Sequence, residues 1–198
     1  MKRAKWGLSG SSRAFFAFFL LLAMAAACPG AGAPAKRFIA SAGVNVFNSA
    51  SGDYRRTYGD AVLMPELKLT WLALGDFGVW GSCARVDKQG LEAEVNEPAK
   101  LGQWFLAAGV GYARGLGSRM RLRVELGLAY VAFREEALGR SNEGGALGWR
   151  AGACLDHGLG ETLFATLSAS YSRVLIDLEP GRIELGGLRV GLGLGAAF

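Results

Sequence analysis

MRLRVELGLAYVA, residues 120–132, alternates without a break. Met120, Leu122, Val124, Leu126, Leu128 and Tyr130 share one parity, while Arg121, Arg123, Glu125, Gly127 and Ala129 share the other. A β-strand projects successive side chains to opposite faces, so this stretch reads as a strand with one apolar face and one charged or small face.

The same period-two signal recurs in both directions along the chain. Toward the C-terminus, Leu147, Trp149, Ala151, Ala153 and Leu155 alternate with Gly148, Arg150, Gly152, Cys154 and Asp156. The last segment sets Leu188, Val190, Leu192, Leu194, Ala196 and Phe198 against Arg189, Gly191, Gly193 and Gly195. Less regular strands are predicted at about 37–48, 60–74, 77–88, 101–114 and 162–176, which makes eight in all. In the third, Val79 and Trp80 compete for the apolar face. Pro65 brings no N–H to a ladder, so a bulge or local break is expected there.

The connections alternate in length. NSASGDYRRTYG, KQGLEAEVNEPA and EEALGRSNEGG are long, GD, GLGS and HGLGE are short, and DLEPGR is intermediate. Short turns at one end, longer loops at the other and an even strand number describe a membrane-spanning up-and-down barrel. A water-soluble barrel also alternates, but with its apolar face inward. Residue size decides between them. The less apolar face carries Ser41, Gly43, Gly109, Gly127, Gly152, Gly191, Gly193 and Ser168, which suit a narrow interior, whereas the opposite face is bulkier than such an interior could hold. The fold class is therefore all-β: an eight-stranded antiparallel transmembrane barrel over residues 37–198. On this topology Trp104, Tyr130, Trp149 and Tyr171 form one aromatic girdle, and Trp71, Tyr112 and Phe198 belong to the other.

Composition agrees. The 198 residues are 51% hydrophobic and 20% charged and include 30 glycines, too apolar for disorder and too glycine-rich for a helical bundle. The net charge of +5 raises the prospect of a nucleic-acid partner, but Lys2, Arg3, Lys5 and Arg13 precede every acidic residue and account for four of the five charges. About +1 remains, and nucleic-acid binding is set aside. Residues 1–27 read as a secretion signal peptide, with a basic start and an apolar run from Ala14 to Ala27 that is shorter than the roughly 20 residues a membrane helix needs. Cleavage is expected after Ala27 or as late as Ala35, leaving a short linker over 28–36; Cys28 has a lipobox-like setting, with Ala25 where Leu is usual. Cys83 and Cys154 are expected on opposite walls, too far apart for a disulfide.

The eight strands, the signal peptide and the terminal VGLGLGAAF resemble the opacity-protein and outer-membrane-protein-A type of barrel. That resemblance implies an integral outer-membrane protein of a Gram-negative cell, surrounded by membrane lipid and lipopolysaccharide. It also implies that Val190, Leu192, Leu194, Ala196 and Phe198 form the signal read by the barrel-assembly machinery.

Glu66, Lys68, Arg85, Asp87, Arg121, Arg123, Glu125, Arg150, Asp156 and Arg189 fall on the inward parity, six basic and four acidic. Unpaired charge inside a barrel is costly, so a salt-bridge network that fills the lumen is expected. No Cys/His spacing indicates a metal, and no cofactor motif is present. The single histidine, His157, is expected in a turn beside Asp156 without a serine partner, which argues against catalysis. The long loops, with Tyr54, Arg55, Arg56 and Tyr58 in one and Asp87, Glu92, Glu94 and Glu97 in another, are the expected place for an extracellular partner. The function expected is non-enzymatic: a barrel with a plugged lumen that supports envelope integrity and presents short surface loops. The alternatives are a lipid-modifying outer-membrane enzyme and a soluble lipocalin-like binder.

Overall fold

The computed structural model describes residues 37–91, 98–137, 139–178 and 181–198. The signal peptide, the 28–36 linker with Cys28, and Glu92, Glu94 and Glu97 lie outside the described residues. The elements are β1 (Phe38–Ser49), α1 (Gly52–Tyr58), β2 (Val62–Leu74), β3 (Phe77–Leu91), β4 (Pro98–Gly115), β5 (Met120–Ala137), β6 (Arg140–Gly158), β7 (Leu163–Leu178), β8 (Gly181–Glu184) and β9 (Gly187–Ala197).

Sequential strands pair antiparallel from β1 to β6, β1 also pairs with β9, and β6 pairs with β7 to close the sheet. Both β8 and β9 lie along β7, so they are one stave interrupted at Leu185 and Gly186. The wall therefore has eight staves. Phe38 and Phe198 lie at one end, with the turns at 75–76, 116–119 and 159–162; this is called the terminal end below, and the opposite one the loop end.

The terminal end follows the sequence reading closely, but the loop end corrects it. Residues 135–145, expected as a loop, are mostly wall: Glu135 pairs with Asn142, Glu136 with Ser141 and Ala137 with Arg140, and Gly139 turns the chain at φ 67°. Strands β3 and β4 likewise pair as far as Leu91 and Pro98. The reason is that a backbone ladder does not depend on side-chain polarity. Where both faces of a strand meet water, alternation disappears from the sequence while the hydrogen bonds continue.

Pro65 interrupts one seam. Pairing of β1 with β2 runs through it, with Pro65 opposite Val44, but pairing of β2 with β3 begins only at Glu66 and Ala84. A second seam ends at Gly148 and Val174, beyond which β7 pairs with β8 alone. Between these two gaps β3 to β6 rise as a four-stranded extension. The first connection folds separately into α1, whose start is capped by Ser51 accepting the Tyr54 N–H at 3.3 Å.

Candidate functional site

The outward face is apolar over most of the wall. Leu63, Leu192, Leu128 and Leu147 are 71%, 70%, 68% and 66% exposed, and Val44, Val110 and Leu167 take the same part on β1, β4 and β7, whereas among the described residues β3 exposes only Phe77. So much exposed aliphatic surface is incompatible with water and suits hydrocarbon. Aromatic rings bound the band. At the terminal end Phe38 stacks on Trp71 with centroids 6.3 Å apart, and Phe77 meets Tyr112 at 4.9 Å. Toward the loop end Trp149 lies 5.7 Å from Tyr171, and Trp104 and Tyr130 stand at neighbouring heights on β4 and β5. Val190, Leu192, Leu194 and Phe198 are exposed on the last stave, with Ala196 on the same parity.

Inside, the middle of the lumen is a charged layer. Arg123 holds Asp156 with two bonds of 2.9 Å, and Arg121 reaches the same carboxylate at 3.1 Å. Arg150 donates to Glu66 at 2.6 Å and to Ser82 at 2.8 Å, while Asn45 donates to Glu66 at 2.9 Å. Lys68 donates to Glu125 at 2.6 Å. These links join β1, β2, β3, β5 and β6 across the interior. Short, fully enclosed pairs of this kind lock side chains into one arrangement, since removing either partner strands a buried charge.

Arg85 does not belong to the layer, contrary to its expected parity. Trp80 takes the lumen instead of Val79, and its indole N–H donates to the Val110 carbonyl at 2.9 Å, beneath Lys68 and Arg150 at 5.7 and 5.4 Å from its ring. With even-numbered residues of β3 turned inward, Arg85 and Asp87 face outward. They pair at 2.7 Å, and the Arg85 guanidinium lies 5.0 Å from the Trp104 ring. Sequence parity was ambiguous at this one strand because tryptophan suits either side, and only the pairing of Lys68 with Ser82 fixes the register.

The interior layer also lacks balance. Among the described residues, Lys68, Arg121, Arg123, Arg150 and Arg189 face Glu66, Glu125 and Asp156, an excess of two positive charges. Arg189 is 2% exposed; it donates to Ser172 at 3.3 Å and lies 4.4 Å from the Phe105 ring, and among the described residues no carboxylate stands within ion-pair distance of it.

Above this layer, toward the loop end, the lumen is apolar, which the sequence reading missed. Phe47, Met64, Val86, Leu101, Phe105, Val131 and Phe133 point inward and are buried. Their signal was present as large apolar residues on the nominally polar parity near the loop-end strand termini. Helix α1 covers this chamber, with the Tyr54 ring 6.1 Å from Phe47, and the Tyr58 hydroxyl donates to Glu135. Burial pushes the Tyr54 phenol up to about 12.

At the terminal end an open vestibule of about 740 Å³ is lined by Arg119, Arg121, Asp156, Glu161 and Phe164. A polar cavity of about 20 Å³ is lined by Asn45, Glu66, Lys68, Arg123, Thr166 and Ser168, and Arg123 lies 5.9 Å from the ring of Phe164, which lines the vestibule. His157 lies in β6, opposite Met120 and Ala165, and is exposed there; the expected turn begins only at Leu159. Cys83 and Cys154 are both free thiols, on β3 and β6.

No family model and no curated protein matches this chain. Solved structures do. Neisserial surface protein A is 12% identical with a TM-score of 0.59 over 81% of this chain and 97% of that one. Outer membrane protein OprG from Pseudomonas aeruginosa is 14% identical, with a TM-score of 0.60 over 81% and 95%. Ail, the attachment invasion locus protein of Yersinia pestis, was solved in complex with the heparin analogue sucrose octasulfate; it is 18% identical, with a TM-score of 0.56 over 82% and 98%. These likenesses establish the fold, a closed eight-stranded antiparallel barrel of the outer-membrane kind.

Proposed function

We propose that this chain is a non-enzymatic integral protein of the bacterial outer membrane, with a closed lumen, whose terminal end faces the periplasm and whose loop end faces outside. The observation that carries this reading is the inverted distribution of side chains. Leucines cover the exterior, whereas Glu66, Lys68, Arg123, Glu125, Arg150 and Asp156 pair in the interior. A soluble barrel needs the opposite arrangement. Within that reading, Val190, Leu192, Leu194, Ala196 and Phe198 serve as the assembly signal, membrane lipid and lipopolysaccharide surround the wall, and the barrel contributes to envelope integrity.

The lumen supports a structural role rather than conduction. Three layers cross it: Phe164 below, the ion pairs in the middle and the apolar chamber above. The likeness to Ail, whose structure holds a sulfated ligand, makes the loop end the place to seek an extracellular partner; there Arg55 and Arg56 lie in the last turn of α1.

Heat-modifiable gel migration together with detergent-dependent extraction tests the membrane reading, and release by osmotic shock without detergent would overturn it. Planar-bilayer recordings test the closed lumen. No stable conductance is expected, and reproducible channels would refute it.

A further inference from the structure

Between residues 164 and 174, β7 brings no charge to the lumen. Its inner face carries the hydroxyls of Thr166, Ser168, Ser170 and Ser172 instead, beside the ion pairs built by other staves. Ser168 donates to Asn45 Oδ1 at 3.3 Å and also lies 3.4 Å from the Gly191 carbonyl oxygen. Thr166 is 8% exposed, and its hydroxyl oxygen is buried with no hydrogen-bond partner among the described residues. Buried polar atoms are almost always satisfied, by protein or by water, because leaving one unmet is costly. The Thr166 methyl is turned toward β9, 3.1 Å from where a Cβ at Gly193 would stand, and the residue lines the 20 Å³ polar cavity together with Asn45, Glu66, Lys68 and Arg123.

We propose that this cavity is a binding site for one water molecule, which joins Thr166 to the charged layer. Size sets the first limit. An enclosed water needs roughly 10–15 Å³ on the same measure, so the cavity admits one water and no polyatomic solute. The lining sets the second. A cation there would face Lys68 and Arg123, and an anion would face Glu66, whereas water both donates and accepts. Lys68 directs protons to Glu125 at 2.6 Å and to Cys154 at 3.4 Å; an ammonium carries three, so one remains for the water oxygen. The water returns protons to Thr166 Oγ1 and to the spare lone pairs of Glu66 or Asn45, which gives it the two to four polar neighbours such a site requires. Through it β7 is tied to β2 across the interior. The ring of polar contacts then includes a stave that offers no charge of its own.

The site depends on the fold and not on where the barrel resides, so the chain folded in detergent suffices for the test. It is crystallised, and ordered solvent is located with and without a bromide soak. One peak is expected within hydrogen-bonding distance of Thr166 Oγ1 and of at least one of Lys68, Glu66 and Asn45, with no anomalous bromide signal. Thr166→Ser keeps the hydroxyl and should retain the peak. Thr166→Ile, whose ethyl group enters the space, should lose it. Heat-modifiable migration of each variant reports the folded barrel, and the native chain decides alone if the isoleucine variant fails to fold. A cavity without a peak, bromide at its centre, or a peak unchanged in Thr166→Ile would each overturn the proposal.

Discussion

Phe38 and Phe198 exchange both of their backbone hydrogen bonds: Phe198 N–H donates to the Phe38 carbonyl at 2.8 Å, and Phe38 N–H donates to the Phe198 carbonyl at 3.1 Å. The last residue of the sequence therefore completes the seam between the two ends of the wall, in addition to exposing its ring outward. Deleting Phe198 removes this closing pair and the terminal aromatic together. Secretion should continue while the folded, heat-modifiable form becomes scarce. Normal amounts of folded barrel in the deletion variant would count against a role for Phe198 in assembly.

Arg150 and Glu66 form a buried pair whose members should not be removed singly. Glu66→Met leaves Arg150 without its carboxylate in a site 2% exposed and should cost about 3–5 kcal/mol of stability in urea unfolding. Replacing both by methionine should restore much of that loss, since no charge is then stranded. A double variant less stable than Glu66→Met would show that the pair does more than satisfy its own charges.

Gly109 and Gly127 face each other across β4 and β5. A Cβ built at Gly109 falls 2.1 Å from the Leu126 carbonyl oxygen and 2.4 Å from the Gly127 Cα, both backbone atoms that cannot swing aside. Gly109→Ala should therefore cost about 1–3 kcal/mol, in the range of overpacked cores. Gly160, with nothing within 4 Å of the same position, provides the control, and its alanine variant should match the native urea midpoint.

Tyr54 should make α1 sensitive to alkali. Its phenol ionises near 12 when docked and near 10 when free, so the neutral form favours docking. The contribution is complete below pH 10, declines as pH rises and is lost by about pH 12. Protease cleavage within residues 52–58 should accelerate over that window, and Tyr54→Phe should flatten the rise. An equally steep rise in the phenylalanine variant would place the sensitivity elsewhere.

The alternation of residues 120–132 and its repeats determined the strand number, the antiparallel order and the outward face of seven staves. A period of two leaves little freedom once one face must meet lipid. The short terminal-end turns were legible for the same reason, as was the interruption at Pro65, because a residue without an N–H cannot extend a ladder on both sides. The charged residues of the lumen could be named from parity, but not their partners. Arg123 meets Asp156 rather than Glu125 most closely, at 2.9 against 3.8 Å, because neighbouring staves are staggered.

Three features came only from the tertiary structure. The facing of β3 depended on pairing with β2, since Val79 and Trp80 fit either side by size alone. The extended loop-end walls depended on backbone ladders that persist where water bathes both faces and erases the pattern. The apolar chamber depended on closure itself: Phe47, Met64, Leu101 and Phe133 are far apart in sequence and break the local alternation, and they become one core only when the wall curves round and α1 folds over them. Phe198 shows the division plainly. Its parity was written in the sequence, whereas its exchange of hydrogen bonds with Phe38 exists only because the two ends of the sheet meet.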